Sequence, residues 1–188
     1  DRHVLPALAD RRGGERVVRQ IRVVSTFGLP ESAVGEKVRD VEDQFEDLRV
    51  GLRVVFPEIH VRLYGRGEDE TEVGRKLEGA AQAVNTRLGR RVLSMSGLSM
   101  AAVVGELLLA QRATLAVAES CTGGLIAKQL TDVPGSSGFF VFAGVTYANE
   151  AKMRVLGVKA ATLAAVGAVH EDTAVEMAEG ARRVAGAD

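Results

Sequence analysis

Two short stretches of this chain hold residue types that together can attack an amide. Ala118-Glu119-Ser120-Cys121-Thr122-Gly123-Gly124 supplies a hydroxyl at Ser120, and Thr146-Tyr147-Ala148-Asn149-Glu150-Ala151-Lys152 supplies an amine at Lys152. A serine hydroxyl is a weak nucleophile until a neighbouring base takes its proton, and a lysine can be that base only in its neutral form. Tyr147 can hydrogen-bond the amine or relay the proton. Gly123 and Gly124 let a substrate approach the backbone, and N–H groups at a helix start, with Thr122 beside them, can hold a tetrahedral oxyanion.

Each of these residues also has a plainer reading. A Ser-x-x-Gly-Gly turn is a common helix cap, a lysine after a strand is commonly a surface charge, and Tyr147 could belong to a core. Cys121 competes with Ser120 as a nucleophile, because a helix N-terminus activates a thiol, or else it is a small buried packing residue. Glu119 is either an acid or a carboxylate that accepts backbone N–H bonds at the turn. His170 stands where a helix begins, as a start residue poorer than serine at capping or as a second base.

The elements that must position these groups follow from pattern. Thr114 to Ala118 reads as an apolar strand and Gly124 to Thr131 as a helix, which puts Ser120 at a strand-to-helix turn. After a loop at Val133-Pro134-Gly135-Ser136-Ser137-Gly138, Phe139 to Thr146 reads as a buried strand and Asn149 to Leu156 as a helix. A helix from Ser99 to Gln111 precedes them, with Met100, Val103, Val104, Leu107 and Leu108 inward. The last helix runs from Asp172 to Ala185, with Ala174, Met177, Ala178 and Val184 inward and Gly186 as its stop. This is α/β alternation. The first half has a different order. Arg16 to Phe27 reads as a strand and Pro30-Glu31 opens a helix carrying Val34, Val38, Val41 and Phe45. Strands follow at Gly51 to Phe56 and Ile59 to Tyr64, then a helix from Glu68 to Leu88 and a short strand at Arg91 to Met95. The expected fold is therefore a small β-α-β-β-α domain over residues 1–95, followed by a three-layer α/β/α domain over 96–188.

Composition limits the function classes. With 24 basic and 25 acidic residues the net charge is −1, so no whole-molecule field draws in nucleic acid or an anionic membrane. A single cysteine and an N-terminus, Asp1-Arg2-His3, without an apolar signal region lead us to expect a cytoplasmic protein. The apolar runs are broken too soon to span a bilayer. His3, His60 and His170 are widely spaced with no clustered Cys or acidic partners, so neither a metal nor a cofactor is expected.

Four segments resemble the CinA family: Ala118 to Gly124, Val133 to Ser137, Gly144 to Tyr147 with Asn149 to Lys152, and Met177 to Ala181. The resemblance implies a nicotinamide-nucleotide amidase domain that hydrolyses the carboxamide of nicotinamide mononucleotide to nicotinate mononucleotide and ammonia. By motif it makes Ser120 the nucleophile, Lys152 the general base and Tyr147 the third catalytic member, with Thr122, Gly123 and Gly124 against the substrate. The first half, through Phe27-Gly28-Leu29-Pro30-Glu31-Ser32, is similar to the KH-like linker domain of long CinA proteins. No GxxG joins its helices. Gly135-Ser136-Ser137-Gly138 has the letters of an RNA-clamping loop but lies in the other half, so no nucleic-acid partner is expected. Family members with the amidase domain continue past the equivalent of Asp188 into a further strand and a glycine-rich phosphate loop, so the chain is expected to be a fragment, with only part of the substrate cradle. The pyrophosphatase-type domain that opens long CinA proteins has no counterpart in it. A competing expectation is a non-catalytic linker whose uncovered apolar surfaces form a homo-oligomer. A third, a nucleotide-binding regulator linked to DNA uptake or damage, lacks any basic stripe or aromatic platform.

Overall fold

The computed structural model describes residues 17–188, which form two compact units divided between Ser99 and Met100. His3 and the expected strand start at Arg16 lie outside the described residues.

In the first unit, β1 (Val18–Phe27) leads into α1 (Glu31–Val38), then β2 (Leu48–Val55), β3 (Glu58–Gly67), α2 (Glu70–Leu88) and β4 (Val92–Ser94). The strands form one antiparallel sheet in the order β2-β3-β1-β4. Both helices cover it. Val34 and Val38 of α1, and Val73, Leu77, Ala80, Ala81 and Val84 of α2, are buried against Val24, Val61 and Leu63. The helical spacing of these side chains makes one apolar stripe per helix, and one sheet face takes both. Asp69 caps α2 by accepting from Glu72 N–H at 2.8 Å. The expected element order holds here, with one refinement. Val41 is buried, but α1 ends at Val38, so Val41 reaches the core from the following turn.

In the second unit, α3 (Met100–Gln111) precedes β5 (Leu115–Glu119), α4 (Leu125–Thr131), β6 (Phe140–Val145), α5 (Asn149–Leu156), α6 (Ala160–Val166) and α7 (Glu171–Ala185). β5 and β6 pair in parallel, with Leu115 opposite Phe140 and Glu119 opposite Val145. Successive side chains of a strand point to opposite faces. Ala116, Ala118 and Phe142 accordingly join a buried cluster with Leu156, Val158, Met177 and Ala181, against α5 and α7. α4 and α3 lie together, and α4 also meets both strands. The result is an α/β/α arrangement.

Three expectations about this unit are corrected. β6 is not buried throughout, since Val141 and Val145 are about half exposed while Phe142 faces inward. In α3, Leu107 is exposed and the buried residue is Gly105, where a side chain would run into the ring of Phe139. In α7, the inward residues are Thr173, Met177, Gly180 and Ala181, while Ala174, Ala178 and Val184 face out. α6 was not anticipated at all.

Gly180 accounts for the α7 face. A Cβ at this position would strike the carbonyl oxygen of Leu156, the last residue of α5. Only glycine lets the two helices come this close. Gly180→Ala should therefore lower stability by about 2 kcal/mol or more, the cost of overpacking at a backbone contact. Thermal unfolding of the variant checks this, and an unchanged midpoint contradicts it.

Candidate active site

β5 and β6 end level with each other, and the ladder continues one step further, because Thr146 N–H donates to the Glu119 carbonyl at 2.9 Å. The carboxyl ends of neighbouring parallel strands are where open α/β sheets gather reacting groups. Here Ser120 follows directly on β5 and Thr146-Tyr147 on β6.

Glu119 fixes the Ser120 turn. It is buried, at 2% exposure, and its two oxygens accept N–H bonds from Gly124 (3.1 Å), Ile126 (3.1 Å) and Ala127 (2.8 Å). These are the donors that a helix start leaves unpaired, so Glu119 is the capping carboxylate of α4. Burial pushes its carboxyl up, but the bonds from Ala127 N–H, the Thr122 hydroxyl, Ile126 N–H and Gly124 N–H outweigh that and hold it below the ordinary glutamate value. Gly123 and Gly124 take positive φ, 63° and 98°, and Gly123 N–H closes the turn on the Ser120 carbonyl at 3.0 Å. Gly124 N–H is taken by Glu119, whereas the backbone N–H groups of Ser120, Cys121 and Thr122 donate to no acceptor among the described residues. Two such donors beside a serine can stabilise an oxyanion.

Lys152, on α5, has no exposed surface. Its Nζ donates to the carbonyls of Thr146 (2.7 Å) and Tyr147 (2.9 Å) and to Ser120 Oγ (3.0 Å). The two carbonyls can only accept, so they occupy two N–H bonds in either protonation state. What remains of the nitrogen points at Ser120. In the ammonium this is a third N–H, and in the amine it is the lone pair, aimed at the hydroxyl proton. The arrangement can thus carry a proton from Ser120 to Lys152 along one hydrogen bond.

The other sequence candidates fall into place around this pair. Tyr147 meets Lys152 through its backbone carbonyl, and the residue is 76% exposed. Cys121 is exposed, so the expected buried packing role does not hold. His170 is the cap of α7, its Nδ1 accepting from Asp172 N–H at 3.2 Å. Beside Ser120 opens a cleft of about 480 Å³, with Cys121 and Thr122 along one side and Val169 to Glu171, Ala174 and Met177 along the other. Sequence reasoning passed over Thr146, whose buried Oγ1 has no partner. Its signal was strand alternation, which sets it on the same sheet face as Phe142. Among the described residues, no three His, Cys, Asp or Glu side chains come together as a metal site. No described helix is long and apolar enough to cross a membrane.

Comparison with known proteins gives two adjoining matches. The family model for the damage-inducible protein CinA KH domain matches residues 21–93, and that for the CinA C-terminal domain matches residues 97–188. The chain belongs to the CinA family. Among curated relatives, a CinA-like protein of Desulforapulum autotrophicum is 54% identical over 87% of this chain. Others from Desulfosudis oleivorans and Geobacter metallireducens are 48% and 42% identical over 98% and 100% of it. The chain spans 38%, 45% and 45% of these three relatives, less than half of each, so they set its family and not the whole protein's activity. A solved CinA superfamily structure from Escherichia coli is 38% identical, with a TM-score of 0.46 over 47% of this chain and 51% of that one. The strand pairing described above does not depend on it.

Glu119 sets a test of the turn in this CinA domain. Its folded carboxyl is shifted down, so its contribution to stability is present above the ordinary glutamate value and is lost as pH falls through the folded one. Glu119→Gln should cost about 2 kcal/mol at neutral pH, because a charged cap loses one acceptor oxygen in a buried site. The wild type should lose this advantage over the pH range that runs downward from the ordinary glutamate value. Unfolding of both proteins across that range is the measurement, and parallel curves would contradict the assignment.

Proposed function

We propose that the second unit is a Ser/Lys amidohydrolase acting on the carboxamide of nicotinamide mononucleotide. The observation that carries this reading is the 3.0 Å contact from Lys152 Nζ to Ser120 Oγ, with the other donors of that nitrogen held by carbonyls. The match of residues 97–188 to the CinA C-terminal domain supports it, because the sequence resemblance to that family implies this substrate.

In the proposed reaction, Lys152 as the amine takes the Ser120 proton while Oγ bonds to the carboxamide carbon. The carbonyl oxygen becomes negative, and the N–H groups of Cys121 and Thr122 stabilise it. Collapse of this intermediate breaks the C–N bond, and the proton on Lys152 passes to the departing nitrogen, which leaves as ammonia. Water then attacks the Ser120 ester and gives a proton to Lys152, which returns it to Ser120 Oγ as nicotinate mononucleotide departs. Thr122, Gly123 and Gly124 would line the substrate's approach. Tyr147 serves this scheme twice, its carbonyl holding Lys152 and its phenol passing protons between solvent and the leaving group.

Ammonia release by the intact protein tests the scheme. Ser120→Ala and Lys152→Met should each lower kcat by about a thousandfold or more while the fold is retained. Cys121→Ser should leave turnover close to wild type. Turnover that survives Ser120→Ala, or is lost with Cys121→Ser, would overturn the reading. Tyr147→Phe keeps the carbonyl and removes the hydroxyl, and should lower kcat by about a hundredfold if the phenol moves protons. An unchanged kcat would confine Tyr147 to its backbone role.

One observation favours a second, compatible reading. Val141 and Val145 of β6 and Leu107 of α3 are each about half exposed, which supports self-association into a homo-oligomer. Light scattering should return a mass above 19.9 kDa for the chain. A monomer at micromolar concentration would contradict it.

A further inference from the structure

Glu171 lines the cleft beside Ser120 and is used by nothing described so far. The lining of that cleft combines an apolar part with a charged one. Ala118, Ala168, Val169, Ala174 and Met177 make an apolar slot suited to a flat ring, and a thioether such as that of Met177 packs well against aromatic edges. Of the two carboxylates that line it, Glu119 and Glu171, the first is already engaged by the protein. Glu119 is occupied by the N–H groups of α4, and His170 Nδ1 by Asp172 N–H. The Glu171 carboxylate makes no hydrogen bond or ion pair among the described residues, and the cleft is lined by neither Lys nor Arg. A slot with a free carboxylate and no cation disfavours an anion and favours a flat ring that carries positive charge.

We propose that Glu171 is the counter-ion for a cationic aromatic ring bound in this cleft, making the site selective for N-substituted pyridinium amides over neutral amides of the same shape. The inference rests on the proposed function for its substrate class. When the carboxamide carbon is at Ser120 Oγ, the ring attached to it must extend into the adjoining slot, and Glu171 stands at the start of α7 on the far wall. A carboxylate in a first helical turn is also what the helix dipole favours. Asp172, the next residue, meets that requirement equally and faces a different surface depression, with Lys159, Thr162 and Glu176. The pair therefore separates a role in the cleft from a role in the helix.

The experiment is equilibrium binding by calorimetry to the intact protein carrying Ser120→Ala, which blocks turnover. The probes are nicotinamide mononucleotide and its 1,4-dihydro form, which share ribose, phosphate and carboxamide and differ in ring charge. The parent should prefer the charged ring. Glu171→Gln should weaken binding of the charged form by about fivefold, the scale of a part-exposed charge pair, and leave the dihydro form unchanged. Asp172→Asn should leave the preference intact, and Glu171→Asp should restore part of it. The proposal fails if the parent shows no preference or binds neither form, if Glu171→Gln weakens both forms equally or neither, or if Asp172→Asn removes the preference. Absence of ammonia release from the wild type would overturn the amidase reading alone, since ring-charge preference is read without turnover.

Discussion

A lysine with no exposed surface must find partners for its nitrogen within the protein. Lys152 finds two in the carbonyls that follow β6 and the third in the hydroxyl that follows β5. Two of these partners are fixed backbone and can only accept, so the third direction of the nitrogen is set by the sheet itself. The proton transfer proposed between Ser120 and Lys152 would need no side-chain search, because parallel pairing of β5 with β6 brings the two chain segments level.

The surrounding structure keeps that level. Glu119 gathers the loose N–H groups of α4 and so holds the Ser120 turn, leaving the N–H groups of Cys121 and Thr122 for another acceptor. On the opposite sheet face, the contact of Gly180 with the end of α5 brings α7 against the helix that carries Lys152. Charge in this region is thus divided by function. One carboxylate is spent on the backbone, one is free in the cleft, and the lysine is surrounded by neutral oxygen atoms. The antiparallel first unit has its own core and contributes none of these residues.

Much of this was legible from residue pattern, and the limits of legibility have physical causes. Long apolar stripes such as Val73 to Leu88 mark a helix and its buried face without ambiguity. The short helix Ala160–Val166 escapes pattern reading because an alanine-rich segment has little periodic contrast and Lys159 offers no side-chain cap at its start, which leaves Gly167 as its one end signal. The inward face of α7 was misjudged because hydrophobicity does not reveal a close backbone approach, and Gly180, the residue that decides the packing, adds no apolar area. Ser120 and Lys152 could be named as chemical types, and the family resemblance paired them, but sequence spacing gave no distance. Tyr147 shows the remaining gap. Its contact to Lys152 runs through a carbonyl, which every residue type possesses, so nothing in its side chain could have announced it. Cys121, apolar by type, is exposed because the turn that frees the Ser120 hydroxyl also lifts its neighbour out of the core.

The central claim is that Ser120 forms a bond to the substrate while Lys152 holds its proton. Acid quenching of the intact protein during turnover of nicotinamide mononucleotide, followed by peptide mass spectrometry, tests this most directly. The predicted result is an added mass equal to substrate less ammonia on Ser120 itself, located by fragmenting the peptide that carries both Ser120 and Cys121, and absent when Lys152 is replaced by Met. Steady ammonia release with the added mass on Cys121, or on no residue at all, would contradict it.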